Sequence, residues 1–316
     1  MRFWSDEVEA MRPEARRCVA DLAAHTRESH GRGSIGAEVD RFERAQRVRA
    51  AFPTFVSDPA GRDATVGGVR CRVFTPPDGI ARGVYLHFHG GGLVLGAPEL
   101  NDASNAHLSR ALGIAVVSVD YALAPEHPYP AACDDAHAVA TWLVANAGDD
   151  FGASRLILGG ESAGAYLAVV TLLRLRDRNS SGPVVGACLA YGVYDWGGSR
   201  QGRSGAVLDA GAPDFFASCF LPGRTEAERR DPTISPLHAR LGRLGPAFMG
   251  VGTEDHLLDD TLGLAARWAA AGNPLDLFVA PDLPHAFEMY RCGITHAYEA
   301  AKLAWFDQRL ADRGAR

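Results

Sequence analysis

The residues best suited to chemistry begin with a serine in a glycine-rich turn. Ser162 is the centre of the segment GESAG at 160–164, which fits the GxSxG pattern of a nucleophile elbow. The apolar run 155–159 predicts a buried strand before it, and 165–176 predicts a helix after it. A side chain at either flanking glycine would strike the neighbouring strand or helix. We therefore predict that Ser162 is a nucleophile; the alternative is a glycine-rich turn with an incidental serine.

A serine hydroxyl becomes a good nucleophile only when a base takes its proton. Asp255 follows the predicted buried strand 247–252, and His285 follows the next predicted strand, 275–280. Open α/β sheets place their sites at the carboxyl ends of strands. The chain order serine, acid, histidine is that of the α/β-hydrolase architecture. These positions favour His285 as the base and Asp255 as the acid that orients it.

Neighbouring acids and histidines compete with this pair for the two roles. Asp259 and Asp260 precede an apolar helical pattern, which favours a role as charges at a helix N-terminus. His256 adjoins Asp255, but it shares the same loop and we expect its side chain to point elsewhere. Three more candidates are an acid beside Asp255 and two histidines away from predicted strand ends: Glu254, His238 and His296.

A second glycine-rich loop supplies candidate donors for an oxyanion. An alternating strand runs into HGGG at 89–92, a loop form found in lipases and esterases. Glycines leave backbone N–H groups open to a substrate oxygen. We assign the N–H groups of Gly91, Gly92 and Ala163 to an oxyanion hole. His89 and Gly90 are expected to support the loop, His89 by hydrogen bonding.

Metal and cofactor chemistry is not indicated. His87 and His89 lie two residues apart on a strand and so share a face, but no third ligand stands nearby at metal spacing. The cysteines lack CxxC spacing and are expected to be reduced. We therefore predict no metal and no organic cofactor. The cysteines are Cys18, Cys71, Cys133, Cys188, Cys219 and Cys292.

Taken together, the motifs resemble the hormone-sensitive-lipase-like family of α/β-hydrolases. Besides HGGG, GESAG and the Asp255 and His285 segments, the resemblance includes 120–132, 231–232 and 235–237. It runs from near residue 45 to the end. It implies a carboxylesterase with Ser162, Asp255 and His285 as its triad, and N-terminal helices plus a mid-chain segment that cover the pocket as a cap.

Four positions depart from the usual pattern of that family. Glu161 stands where an aspartate usually precedes the nucleophile, and Ala165 stands where a second glycine usually follows the elbow. His256 replaces the proline after the catalytic aspartate, and Ala286 replaces the glycine after the catalytic histidine. All catalytic groups are retained, so these departures bear on the shape of the pocket and on the substrate.

The predicted fold is α/β, an α/β-hydrolase fold with a mostly parallel central sheet, helices on both faces and a helical cap. The predicted strands continue in one alternating series to residue 280. We expect cap helices at 1–50, a catalytic core at 51–195 and 236–316, and a cap insertion at 196–235. A short helix in this insertion would either line an acyl pocket or dock the cap on the core; it carries Phe215, Phe216 and Phe220.

Composition is consistent with a globular enzyme. The chain has 316 residues, 47% of them hydrophobic, which can bury a large core. A formal net charge of −6 argues against nucleic acid or an anionic membrane as a main partner. No run approaches the length of a membrane span, and the start of the chain turns acidic at once. We expect no membrane insertion and a cytoplasmic location, and we keep homodimerisation open.

The function that follows is hydrolysis of a small-molecule ester with a short acyl group, through a Ser-His-Asp triad and an acyl-enzyme. The triad alone does not separate ester from amide hydrolysis, so a small-molecule amide deacylase is an alternative. A hydrolase fold that has lost catalysis and binds a ligand is a more remote one.

Overall fold

A central sheet of eight strands organises the chain. The computed structural model describes residues 3–29, 40–51, 56–198 and 211–311. The spatial strand order is β1-β2-β4-β3-β5-β6-β7-β8. The pairs β1/β2 and β2/β4 are antiparallel, and every other neighbouring pair is parallel. The strands are β1 Arg62–Val66, β2 Val69–Phe74, β3 Val84–Phe88, β4 Ala115–Val119, β5 Leu156–Glu161, β6 Val184–Ala190, β7 Ala247–Gly252 and β8 Leu275–Ala280.

Helices cover both faces of this sheet, as the α/β-hydrolase prediction requires. The longer ones are α2 Arg12–Ser29, α3 Arg41–Ala51, α4 Asp102–Leu112, α5 Ala131–Phe151, α6 Ala163–Asp177, α7 Ala212–Phe220, α9 Leu258–Ala270 and α10 Gly293–Ala311. Two short helices, α1 Asp6–Ala10 and α8 Glu226–Arg229, complete the set within the described residues. The predicted fold class is confirmed.

Strand alternation divides the core into two layers. Leu86 on β3 and Leu158 on β5 pack in the layer that includes residues of α5, α6 and α9. Their neighbours Tyr85 and Ile157 pack in the other layer, with residues of α4 and α10. Successive side chains of a strand point to opposite faces, so continuous apolar strands are buried on both sides. The sheet therefore holds its strand ends in fixed positions for a site.

The N-terminal helices contact both regions where the site was predicted. Arg12 on α2 pairs with Asp282, at 2.7 Å between Nε and Oδ2, in the loop after β8. Arg49 on α3 donates to the carbonyl of Val94 at 2.8 Å, just after the HGGG loop. These contacts attach α2 and α3 to the two loops that border the strand ends.

The predicted cap boundaries stay a prediction. The guanidinium of Arg44 on α3 lies 4.2 Å from the ring centroid of Phe215 on α7, so the two predicted cap segments touch. Residues 199–210, in the middle of the predicted insertion, lie outside the described residues.

Among the helices that the structure describes, none is long and apolar enough to cross a membrane. All six cysteines are unpaired, and every one except Cys18 is buried.

Candidate active site

Ser162 occupies a strained turn between β5 and α6. Its backbone has φ 55° and ψ −115°, in the left-handed half of φ space that side chains rarely adopt. The flanking glycines are required by close approach of β3. A Cβ on Gly160 would lie 2.0 Å from the carbonyl oxygen of Phe88, and one on Gly164 would lie 1.8 Å from the same atom. The elbow thus places the serine hydroxyl beyond the strand end.

Ser162, His285 and Asp255 form a continuous hydrogen-bonded series. His285 Nε2 lies 3.1 Å from Ser162 Oγ. His285 Nδ1 lies 2.9 and 3.0 Å from the two carboxylate oxygens of Asp255. Asp255 Oδ1 also accepts the N–H of Leu257 at 2.8 Å. A carboxylate at Nδ1 holds the proton there and leaves the Nε2 lone pair facing the serine.

The loops that carry the acid and the histidine pack tightly on each other. A Cβ on Gly252, at the end of β7, would lie 2.0 Å from the carbonyl oxygen of Leu283. The N–H of Asp282 donates to Thr253 Oγ1 at 2.8 Å. The Arg12 guanidinium, bonded to Asp282, lowers the pKa of that carboxyl against the effect of burial. Asp255 and His285 are therefore held by neighbouring strand ends, as their spacing predicted.

The HGGG loop runs beside the serine. Gly91 and Gly92 have φ of 117° and 63°. A Cβ on Gly91 would lie 2.2 Å from Leu95 O, and one on Gly92 would lie 2.4 Å from the ring of Phe216. Ala163 is the first residue of α6, where N–H groups have no partner within the helix.

His89 is buried behind this loop. Its Nδ1 donates to the carbonyl of Gly90 at 2.7 Å, and its ring stacks on Tyr121 with centroids 4.2 Å apart. Tyr121 also donates its hydroxyl to the carbonyl of His89 at 2.7 Å. Burial lowers the pKa of His89 to about 4, so the ring is neutral near pH 7. The structure therefore places His89 where it can brace Gly90 and the loop.

Glu161 points to the opposite face of β5 from the site. Its Oε2 lies 3.0 Å from His87 Nε2 and accepts Asn101 Nδ2 at 3.2 Å. His87 Nδ1 lies 2.8 Å from Ser118 Oγ, so both nitrogens of His87 have partners. Burial acts to raise the pKa of Glu161, but His87 and, more weakly, Lys302 outweigh it and lower the pKa. Glu161 is thus a buried carboxylate that does not face the predicted substrate side.

Glu161 borders a polar cavity of about 90 Å³ that sequence reasoning missed. Lys302 reaches it from α10, with Nζ 3.2 Å from Glu288 Oε1 and 2.7 Å from Glu299 Oε1. Burial raises the pKa of Glu288. Burial opposes the charge on Lys302, but Glu288 and Glu299 outweigh it and raise its pKa. Two features of the sequence could have indicated this cavity. One is Glu161, and the other is Lys302, the only lysine among the 32 Lys and Arg residues of the sequence.

Tyr191 contacts both Glu288, which lines this cavity, and His285. The hydroxyl of Tyr191 donates to Glu288 Oε2 at 2.8 Å. Its ring lies edge-on to His285, with centroids 4.9 Å apart. Glu288, which pairs with Lys302, therefore holds the hydroxyl of the tyrosine whose ring packs on His285.

The expectation for His256 was wrong. Its Nδ1 lies 3.5 Å from Asp255 Oδ1, and its ring centroid lies 4.8 Å from that of His285. His256 also lines the small cavity at Ser162. The loop after β7 turns back on itself because Leu257 N–H bonds to Asp255, so the neighbour of Asp255 is not directed away as it would be in a strand.

The cavity at Ser162 is small and mostly apolar, at about 30 Å³. Of the three candidate pocket phenylalanines, Phe216 lines it. Phe215 packs against Arg44, and Phe220 is fully buried with Tyr166 and Trp196. Within the described residues, Phe215 and Phe220 are not part of the lining of this cavity, which favours the alternative that they dock the cap on the core. The cavity is lined by Gly92, Ser162, Val193, Trp196, Pro213, Phe216, His256 and Leu257.

Known proteins resemble this chain in fold and in sequence. A family profile described as alpha/beta hydrolase fold matches residues 85–289. The chain belongs to the α/β-hydrolases and, within them, to the hormone-sensitive-lipase-like family. A solved structure described as a hormone-sensitive lipase from a metagenome library superposes with a TM-score of 0.78 at 27% identity, covering 94% of this chain and 98% of the other.

Curated relatives of this chain carry esterase and hydrolase names. The chain is 34% identical over 248 residues to "Esterase LipI" of Mycobacterium tuberculosis, covering 75% of this chain and 77% of the relative. It is 30% identical over 290 residues to "Acetyl-hydrolase" of Streptomyces hygroscopicus, covering 90% and 92%. The family resemblance inferred from the motifs is confirmed.

Proposed function

We propose that this protein is a serine carboxylester hydrolase in which Ser162, His285 and Asp255 act as the triad. The observation that carries the proposal is the 3.1 Å contact between His285 Nε2 and Ser162 Oγ, with Asp255 on the other ring nitrogen. His285 takes the hydroxyl proton as Ser162 attacks the ester carbonyl, and Asp255 stabilises the imidazolium. The esterase names of the relatives agree with this chemistry.

We propose that the same residues carry the remaining steps. The N–H groups of Gly91, Gly92 and Ala163 stabilise the negative oxygen of the tetrahedral intermediate. His285 then gives its proton to the leaving alcohol, which leaves an acyl-Ser162 ester. A water molecule, deprotonated by His285, attacks this ester and releases the acid.

We further propose that the preferred acyl group is short. The cavity at Ser162, at about 30 Å³, has room for roughly two water molecules. Its lining by Phe216, Val193 and Leu257 favours a small apolar group. The acetyl-hydrolase name of one relative is consistent with an acetyl ester.

Labelling with a fluorophosphonate probe and hydrolysis of nitrophenyl esters from acetate to palmitate test both parts. We expect Ser162→Ala to lose labelling and at least ~10⁴-fold in kcat, while Ser180→Ala, in the loop after α6, retains both. Retained labelling of Ser162→Ala would refute the nucleophile assignment. A rate maximum at palmitate would refute the short acyl group, and acetanilide rates equal to acetate ester rates would favour the amide alternative.

A further inference from the structure

His256 brings a third ligand atom to the Asp255–His285 pair. Asp255 Oδ1 lies 3.0 Å from His285 Nδ1 and 3.5 Å from His256 Nδ1. The ligand atoms that the three side chains offer all lie within 4.8 Å of one another. His256 is therefore the residue that turns the Asp255–His285 pair into a group of three possible metal ligands.

The donor set fits zinc. Two imidazole nitrogens and one carboxylate oxygen are ligands that Zn²⁺ binds at ~2.0–2.2 Å in tetrahedral geometry, which places ligand atoms about 3.4 Å apart. Both separations from Asp255 Oδ1 are near that value, and the two imidazole rings must turn to bring all three ligand atoms onto one ion. His256 lines the cavity at Ser162, which gives the ion a route in and leaves a position for water.

We propose that Asp255, His256 and His285 form a Zn²⁺ site and that Zn²⁺ bound there reversibly blocks hydrolysis. The metal bonds to His285 Nδ1, and the ring's single proton moves from Nδ1 to Nε2. An Nε2–H cannot accept the proton of Ser162, so the serine is no longer activated. No electrons are transferred, and removal of the metal restores the original tautomer. The inhibition rests on the proposed function, whereas the binding does not.

Calorimetric titration of the intact protein with Zn²⁺ measures the binding directly. We compare the wild type with His256→Phe, which keeps a ring and removes the ligand, and with His107→Phe, which removes an exposed histidine on α4. We expect one zinc per chain in the wild type and in His107→Phe, and at least ~tenfold weaker binding in His256→Phe. Mg²⁺, which requires octahedral oxygen ligands, should not compete.

Two further readouts separate this site from adventitious binding and from unfolding of a variant. Co²⁺ added to the wild type should give the intense visible bands of a tetrahedral nitrogen-ligated ion, and Zn²⁺ should abolish them. Zn²⁺ should inhibit acetate ester hydrolysis by the wild type and His107→Phe, with full recovery on chelation.

Equal zinc affinity in the wild type and His256→Phe, or an octahedral Co²⁺ spectrum, would overturn the proposal. Zinc inhibition that persists unchanged in His256→Phe would assign the effect to His285 alone and would also overturn it. If the protein proves inactive on esters, the proposed function fails, and calorimetry and the Co²⁺ spectrum still decide the metal site.

Discussion

Replacement of Lys302 by methionine should destabilise the protein in a pH-dependent way. Lys302 is 8% exposed and bonds Glu288, which is itself held by Tyr191. Methionine keeps much of the apolar stem but removes the charge that balances Glu288 and Glu161 in the cavity. Glu299, the other partner, is more exposed, so water can replace the hydrogen bond that it loses with Lys302.

The expected loss is about 3–5 kcal/mol of unfolding free energy near pH 8, the usual cost of removing one member of a buried ion pair. The cost should fall as pH falls. Burial already raises the pKa of Glu288 above its unfolded value, and Lys302 acts to lower it, so the variant raises it further. An acid whose pKa is higher in the folded than in the unfolded state lowers the free energy of unfolding once it ionises. At a pH below its unfolded pKa it has no such effect, and the loss of stability grows as the pH rises from the unfolded towards the folded pKa.

Urea unfolding near pH 8 and near pH 5 measures this difference, with the double variant Lys302→Met/Glu288→Gln as the matched comparison. Glutamine can still accept the Tyr191 hydroxyl, so the double variant should recover most of the loss near pH 8. A loss in Lys302→Met below ~1 kcal/mol, or one equal at both pH values, would refute the electrostatic account of the cavity.

Two other substitutions test the site from different directions. Gly164→Ala should prevent correct folding or cost ~4 kcal/mol or more of unfolding free energy, because its Cβ would overlap the Phe88 carbonyl. The control Gly148→Ala, in α5, places its Cβ in open space and should stabilise the protein by ~0.5–1 kcal/mol. Equal urea midpoints for the two variants would contradict this. Phe216→Ala should enlarge the cavity at Ser162 and raise the ratio of hexanoate to acetate ester hydrolysis rates ~10-fold or more. An unchanged ratio would show that the acyl group does not bind in this cavity.

The sequence allowed the fold and the strand-end residues to be predicted because buried parallel strands have a strong local signature. The predicted bounds of β7 and β8, 247–252 and 275–280, agree with the structure. Asp255 lies three residues after β7 and His285 five residues after β8, so the topology brings both to one edge of the sheet. Local pattern was sufficient wherever the position of a side chain follows from the strand it terminates.

The pattern failed where tertiary contact decides the direction of a side chain. His256 turns towards His285 because of a loop hydrogen bond at Asp255 that no periodicity encodes. Phe216 reaches the cavity while its neighbour Phe215 packs on Arg44, a difference set by how α7 docks. Lys302 lies on a helix far along the chain, and only the assembled layers place it behind the elbow.

The departure at Glu161 is compatible with catalysis because of where the sheet directs it. A carboxylate near a developing oxyanion would raise its energy by roughly 1–4 kcal/mol at 4 Å, depending on the local dielectric. Glu161 adjoins Ser162 in sequence, yet its carboxylate lies on the opposite face, bonded to His87 and Asn101. Lys302 lowers its pKa further from across the cavity. The end of β5 and the turn that follows it therefore direct the Glu161 carboxylate and the Ser162 hydroxyl to different sides. The charge of Glu161 is stabilised by His87, Asn101 and Lys302, away from the nucleophile.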